Sequence, residues 1–310
     1  MERFLLRAAN RKCALMRSAR PWLSVAVNLQ AALQAFLLQL RADGRSEHTV
    51  GQYRRHGNAL VAWLAATGTG TDVADLTPTV LATFFASDAA RSSCRGGPKK
   101  ATSTNAMRTS VRCFAAHLHL SGLVAQNPAR MLRRARCTAP APRALHADEQ
   151  ERLLAVLAAA TGGEAERDRV LVRLLLGTGV RLGSALALDV SDLDFAHGEL
   201  AMRCTKNDKP AVVMLPKALG EELRRFVAGR KGPVFLAKDA RISTRHAQRR
   251  LAGWFAKARI TGKSAHSIRH AFATDLLART GDLRLVHAAQ NHASIDSTTI
   301  YTAVDRARLR

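Results

Sequence analysis

At 310 residues the chain has room for about two domains of ~150 residues, and a hydrophobic share of 47% excludes a disordered polymer. The chain carries 48 Lys and Arg against 24 Asp and Glu, a formal charge of +24, and so self-repelling a balance points to a polyanionic partner, nucleic acid ahead of an anionic membrane. No apolar run reaches the ~18 residues of a membrane span, and Cys13, Cys94, Cys113, Cys137 and Cys204 are scattered and form no C-x-x-C pair, which points to neither a disulfide framework nor a zinc site and fits a reducing cytoplasm.

Residues 1–24 form an Arg-rich N-terminal extension with a single acid, Glu2. It has the composition of an organellar transit peptide, but reads better as a basic arm for DNA or the product of a misplaced start codon. From Asn28 the apolar spacing is helical: Leu29, Leu33, Phe36, Leu37 and Leu40 share one face, and Gly44 ends the helix. A second helix follows Ser46, carries Val50, Tyr53, Leu60, Trp63 and Leu64, and ends near Gly68. Thr77-Pro78 reads as an N-cap followed by proline at the first helical position, opening a third helix with Leu81, Phe84 and Phe85. Residues 91–100 read as a basic loop; Thr104 is the expected cap of a fourth helix, with Val111, Phe114 and Leu118, stopped by Gly122. Residues 25–133 thus form a helical domain.

Residues 134–145 are the expected linker, positively charged and broken by Pro140 and Pro142. The second domain, 146–310, opens with a helix near Asp148 and a second over 165–176 that ends at Gly177-Thr178-Gly179. Two strand-like runs, Glu199 to Cys204 and Ala211 to Leu215, are joined by a tight turn over Thr205 to Pro210. Helices are expected over 218–229, 244–259, 267–280 and 283–289. The fold class is mainly α with a small β-sheet.

Three features carry chemistry. Arg181 follows the Gly-Thr-Gly-Val run and sits between apolar stretches, so it is partly buried and needs a counter-charge. Taken alone, a structural arginine paired with Asp189 or Asp192 is the simpler reading. His266 and Arg269 lie three apart, on one helical face, and both can donate to one anion; the pattern is common by chance. Tyr301, one of two tyrosines, lies nine residues after His292; a core tyrosine is the ordinary alternative.

Taken together, their order and spacing resemble the tyrosine recombinase (phage integrase) family. The resemblance is closest over Arg269-His-Ala-Phe-Ala-Thr-Asp-Leu-Leu-Ala-Arg-Thr-Gly-Asp-Leu-Arg284 and His292-Ala-Ser-Ile-Asp-Ser-Thr-Thr-Ile-Tyr301. Gly177-Thr-Gly-Val-Arg-Leu182 and Thr205-Lys-Asn-Asp-Lys-Pro210 are further blocks. Ser46-Glu-His-Thr-Val50 with Tyr53, and Asn127-Pro128, resemble the family's core-binding domain.

The resemblance implies a SAM-like core-binding domain and a mixed α/β catalytic domain closing as a C-shaped clamp on DNA. It places Arg181, Lys206, His266, Arg269, His292 and Tyr301 at the family's six active-site positions. Tyr301 would attack a phosphodiester to give a 3′-phosphotyrosine. Arg181 and Arg269 would clamp the non-bridging oxygens, with His292 donating a further hydrogen bond. Lys206 would protonate the leaving oxygen, and His266 would assist proton transfer or bind the phosphate.

No cofactor or metal is implied. The implied partners are double-stranded DNA and further copies of the chain, a dimer per crossover site and a tetrameric synapse, with accessory DNA-bending proteins as candidates and no membrane. The implied location is the bacterial cytoplasm, on the nucleoid. Integration, excision or resolution of DNA elements is the expected task, with a mobile element favoured.

Ser184 stands where the family often has an acid, and Gln290-Asn291 where Leu-Gly is usual. In the lysine turn, Lys209 rivals Lys206, and nine residues follow Tyr301. A non-catalytic DNA-binding accessory protein and a type IB topoisomerase are the competing readings. The first predicts binding without a covalent adduct, the second relaxation with little sequence preference.

Overall fold

In the computed structural model, which describes residues 27–93, 96–137, 143–203 and 211–290, the chain divides into two units, Met1–Ala139 and Pro140–Arg310. The extension 1–24, the turn over 205–210, Lys206, His292 and Tyr301 lie outside the described residues. No helix among the described residues is long and apolar enough to cross a membrane.

The first unit is helical. Helix α1 (Leu29–Ala42) starts where the Asn28 side chain accepts the Gln30 N–H at 2.9 Å, and α2 (Glu47–Thr67) starts where Ser46 Oγ accepts the Thr49 N–H at 3.3 Å. The two cross closely because Gly57 has no side chain: a Cβ there would lie 2.5 Å from Leu33. Helix α3 (Pro78–Ala86) is capped by Thr77, as its sequence indicates. A four-residue helix, α4 (Asp88–Arg91), precedes the expected loop and overlaps it only at Arg91.

Helix α5 (Ala101–Leu120) begins one turn before the expected cap. Thr104 is not the cap; it is buried inside the helix and its hydroxyl donates back to the Lys100 carbonyl. Leu33, Leu37, Leu60, Leu64, Phe84, Phe114 and Leu118 fill the core. Each such side chain stabilises by about 1.5–3 kcal/mol over its exposed state. Buried Asn105 holds the outgoing chain, donating to the Ala135 carbonyl and accepting its N–H, both at 2.8 Å.

The second unit is built around α7. Helices α6 (Ala147–Ala159) and α7 (Gly163–Thr178) are followed by a short α8 (Leu182–Ala187). Strands β1 (Leu193–Asp194), β2 (Glu199–Met202) and β3 (Ala211–Met214) form an antiparallel sheet in that order, with Leu200 opposite Val213. Then come α9 (Lys217–Val227), the hairpin β4 (Leu236–Ala237) and β5 (Ala240–Arg241), α10 (Thr244–Lys257), α11 (Ala265–Thr280) and α12 (Leu283–Ala289). Helix α7 is apolar on several sides and packs against α6, α9 and α11, which explains why Val170, Leu171, Val172, Leu174 and Leu175 are all buried. Helix α8 and strands β1, β4 and β5 have no counterpart among the elements expected from the sequence, because two to six residues are too few to show a period.

Candidate active site

The site begins at the end of α7. Gly179 caps that helix with φ 64°, and a Cβ at this position would sit 2.1 Å from Phe272 of α11. Backbone conformation and lack of space both require glycine there. The turn delivers Arg181 to the N-cap of α8, half-buried. The carboxylates expected to neutralise a structural Arg181 are engaged elsewhere: Asp189 pairs with Arg241 at 2.6 Å, and Asp192 pairs with Arg203. The simpler reading of Arg181 as a partner of either acid therefore does not hold.

Helix α11 supplies the opposite wall. Its start is set by the Ser264 N–H, which donates to Ser267 Oγ at 3.1 Å, and this places His266 and Arg269 in its first two turns. Arg269 is buried, and its guanidinium is held by two backbone carbonyls: Nη1 donates to Gly179 at 2.6 Å and Nη2 to Gln290 at 2.5 Å. Gln290, at the C-cap of α12, returns a hydrogen bond from Nε2 to the Arg269 carbonyl at 3.1 Å. Three stretches distant in sequence thus meet at one arginine.

Arg181 and Arg269 line one recess with Val180, Ser184, Met202, Ala211, Val213, Ala289 and Gln290. Met202 and Ala211, on its wall, flank the segment that contains Lys206; Gln290 immediately precedes the one that contains His292 and Tyr301. His266 is exposed and lies outside the lining of the recess, within reach of the charges of Arg269 and Arg181. Crowding of its ring by the protein, then the charges of Arg269 and Arg181, hold its imidazole below the ordinary range and favour the neutral ring. Its ring meets His270 edge to face, with centroids 4.4 Å apart. Burial, then His266 and Arg269, lowers the His270 pKa to about 4.

Two guanidinium groups give the recess the chemistry to hold an anion. Of the sequence-derived candidates, Arg181, His266 and Arg269 are brought together. The carbonyls of Gly179 and Gln290, and the ring of His270, are parts of the site that sequence reasoning did not identify. Only the glycine run and the unusual Gln290 signalled them.

Comparisons with known proteins agree with this architecture. Residues 143–308 match the Phage integrase family, and residues 33–122 match the phage integrase N-terminal SAM-like domain. The chain is 34% identical over 301 residues to the tyrosine recombinase XerC of Mycobacterium bovis (strain BCG / Pasteur 1173P2), covering 91% of this chain and 97% of that protein. It is 32% identical over 288 residues to the tyrosine recombinase XerC of Vibrio parahaemolyticus serotype O3:K6 (strain RIMD 2210633), covering 90% of each.

Among solved structures, XerH site-specific recombinase bound to a palindromic difH substrate shares the fold with a TM-score of 0.68 at 18% identity, over 93% of this chain and 97% of that one. A lambda integrase tetramer bound to a Holliday junction does so with a TM-score of 0.70 at 14% identity, over 96% and 85%. The chain, mainly helical with a small sheet and a recess lined by arginines, belongs to the phage integrase family of site-specific tyrosine recombinases, enzymes that cleave and rejoin DNA strands.

Proposed function

We propose that the recess between Arg181 and Arg269 receives the scissile phosphate of duplex DNA and that Tyr301 is the nucleophile. The tyrosine oxygen forms a bond to phosphorus as the bond to the 5′ oxygen breaks. The products are a 3′-phosphotyrosine and a free 5′-hydroxyl, and reversal by another strand's 5′-hydroxyl completes exchange without an external energy source. Arg181 and Arg269 offset charge on the non-bridging oxygens, and His292 adds a donor. Lys206 gives its proton to the leaving 5′ oxygen. His266 assists proton transfer or hydrogen-bonds the phosphate.

The observation that carries this reading is that Arg181 and Arg269, from separate parts of the chain, line one recess, with His266 close enough to feel both charges. The charge of +24 supports binding dominated by phosphate contacts, with steep salt dependence. The domain boundaries we adopt are 25–133 for core binding and 146–310 for catalysis, joined by 134–145 and closing as a clamp around the duplex. The fold shared with a tetramer on a Holliday junction supports a dimer per site and a tetrameric synapse. The task is integration, excision or resolution of DNA elements in the bacterial cytoplasm.

The test is covalent capture. Wild type and Tyr301→Phe are incubated with fragmented DNA from the source organism and denatured in detergent, and DNA still attached to protein is sequenced. Wild type is expected to yield fragments converging on one site. The variant, which lacks only the hydroxyl, is expected to bind DNA but yield none. Attachment by Tyr301→Phe overturns the nucleophile, scattered attachment favours a topoisomerase, and salt-sensitive binding with no attachment by wild type favours a non-catalytic accessory protein.

A further inference from the structure

We propose that Gln290 is a positioning residue that ties the phosphate-clamping Arg269 to the chain segment leading to His292 and Tyr301. The inference rests on the reading of Arg269 given above. Gln290 is 1% exposed, and a primary amide is buried at a cost unless it is hydrogen-bonded. Its backbone carbonyl accepts from the Arg269 guanidinium at 2.5 Å, and its side-chain amide donates to the Arg269 carbonyl at 3.1 Å. The two bonds run in opposite directions between the same two residues, so Arg269 is gripped at its backbone and at its tip.

The grip is stiff because its base is stiff. The Gln290 N–H is bonded to the Val286 carbonyl at 3.0 Å, and Val286 is fully buried against Ala273, Leu276 and Leu277 of α11. The other end of α12 is fixed by Asp282, whose carboxylate accepts the Arg284 and Leu285 N–H groups at 2.7 and 3.2 Å. Helix α12 is therefore a strut docked on the helix that carries Arg269. Leucine, usual at this position in the family that the sequence resembles, preserves the main-chain carbonyl but supplies no amide.

A long arginine side chain has several rotatable bonds, and a clamp displaced by about 1 Å loses up to ~100-fold in rate. Gln290→Met keeps length and volume and removes only the amide; Gln290→Leu restores the usual residue, so one of the pair is expected to fold. Both are compared with wild type, Arg269→Ala and Tyr301→Phe in single-turnover cleavage of a suicide duplex built on the captured site. The cleavage rate constant is expected to fall about tenfold in both variants, with the half-saturating DNA concentration and the reacting fraction unchanged.

A duplex with a methylphosphonate at the scissile position lacks the charge that Arg269 offsets, and on it the gap between Gln290→Met and wild type is expected to narrow. A wild-type rate constant in both variants overturns the proposal. So does a loss confined to reacting fraction and melting temperature, or a gap that stays the same on the methylphosphonate. Wild-type cleavage by Arg269→Ala instead overturns the phosphate-clamp reading itself, and is recognised independently of any Gln290 variant.

Discussion

Arg167, in α7, and Arg269, in α11, are each 4% exposed. Arg167 is bound by a carboxylate: its Nη2 lies 2.8 Å from Asp168 Oδ1, and the other Asp168 oxygen accepts from Arg250 at 2.7 Å and Trp254 at 2.8 Å. The Arg167 cluster ties α7 to α10 and matches a buried positive charge with a negative one. Arg269 is oriented by the neutral carbonyls of Gly179 and Gln290. A carbonyl fixes the plane of a guanidinium without cancelling its charge. The difference teaches how one unit can hold one buried arginine by a carboxylate and another by carbonyls, the second arrangement suiting the phosphate role proposed for Arg269.

The sharpest way to break the comparison is Asp168→Ala in the full chain, which removes the buried carboxylate that Arg167 and Arg250 share and leaves them only the exposed Glu164. Unfolding of the catalytic unit in urea, followed by Trp254 fluorescence with Trp22 and Trp63 replaced by Phe in both proteins compared, should show a loss of about 3–5 kcal/mol, while cleavage per folded molecule stays near wild type. An unchanged midpoint would mean that the cluster is not structural. Arg269→Ala should do the reverse, lowering the single-turnover cleavage constant roughly 10²–10³-fold with a smaller change in stability. Arg269→Lys should not restore the rate, because a point charge cannot span two carbonyls and an anion at once.

The smallest effect is in pH. His270 titrates at about 4 in the folded chain against 6.5 ordinarily. Its folded value is depressed, so the fold favours the neutral ring. That contribution is fully present above the unfolded value and is lost as pH falls from about 6.5 towards about 4. His266 is lowered as well and acts in the same direction. Urea midpoints of the catalytic unit should fall across this window, and His270→Asn should flatten the slope; an equal slope in the variant would remove His270 from the account.

The caps show how much was legible. Ser46 and Thr77-Pro78 announce their helices because an N-cap acts within three residues. Thr104 misled for a related reason: a capping residue type also fits a helix interior when its hydroxyl bonds back one turn, and the packing of α5 decided between the two. Strands β4 and β5 were not legible because a two-residue strand carries no pattern of its own. Within the candidate site, Arg181, His266 and Arg269 stood out by type and spacing, whereas Gln290 registered only as an unusual residue.

By itself the sequence determined the helical character of both units, most helix starts and stops, the basic charge and the family, because these rest on local capping, apolar period and motif spacing. Only the tertiary structure decided that the acids near Arg181 belong to Arg203 and Arg241, and that Gly179 and Gln290 hold Arg269. Those partners are remote in the chain or act through backbone atoms that every residue possesses. No residue type or spacing marks a carbonyl as an acceptor until packing brings a donor to it.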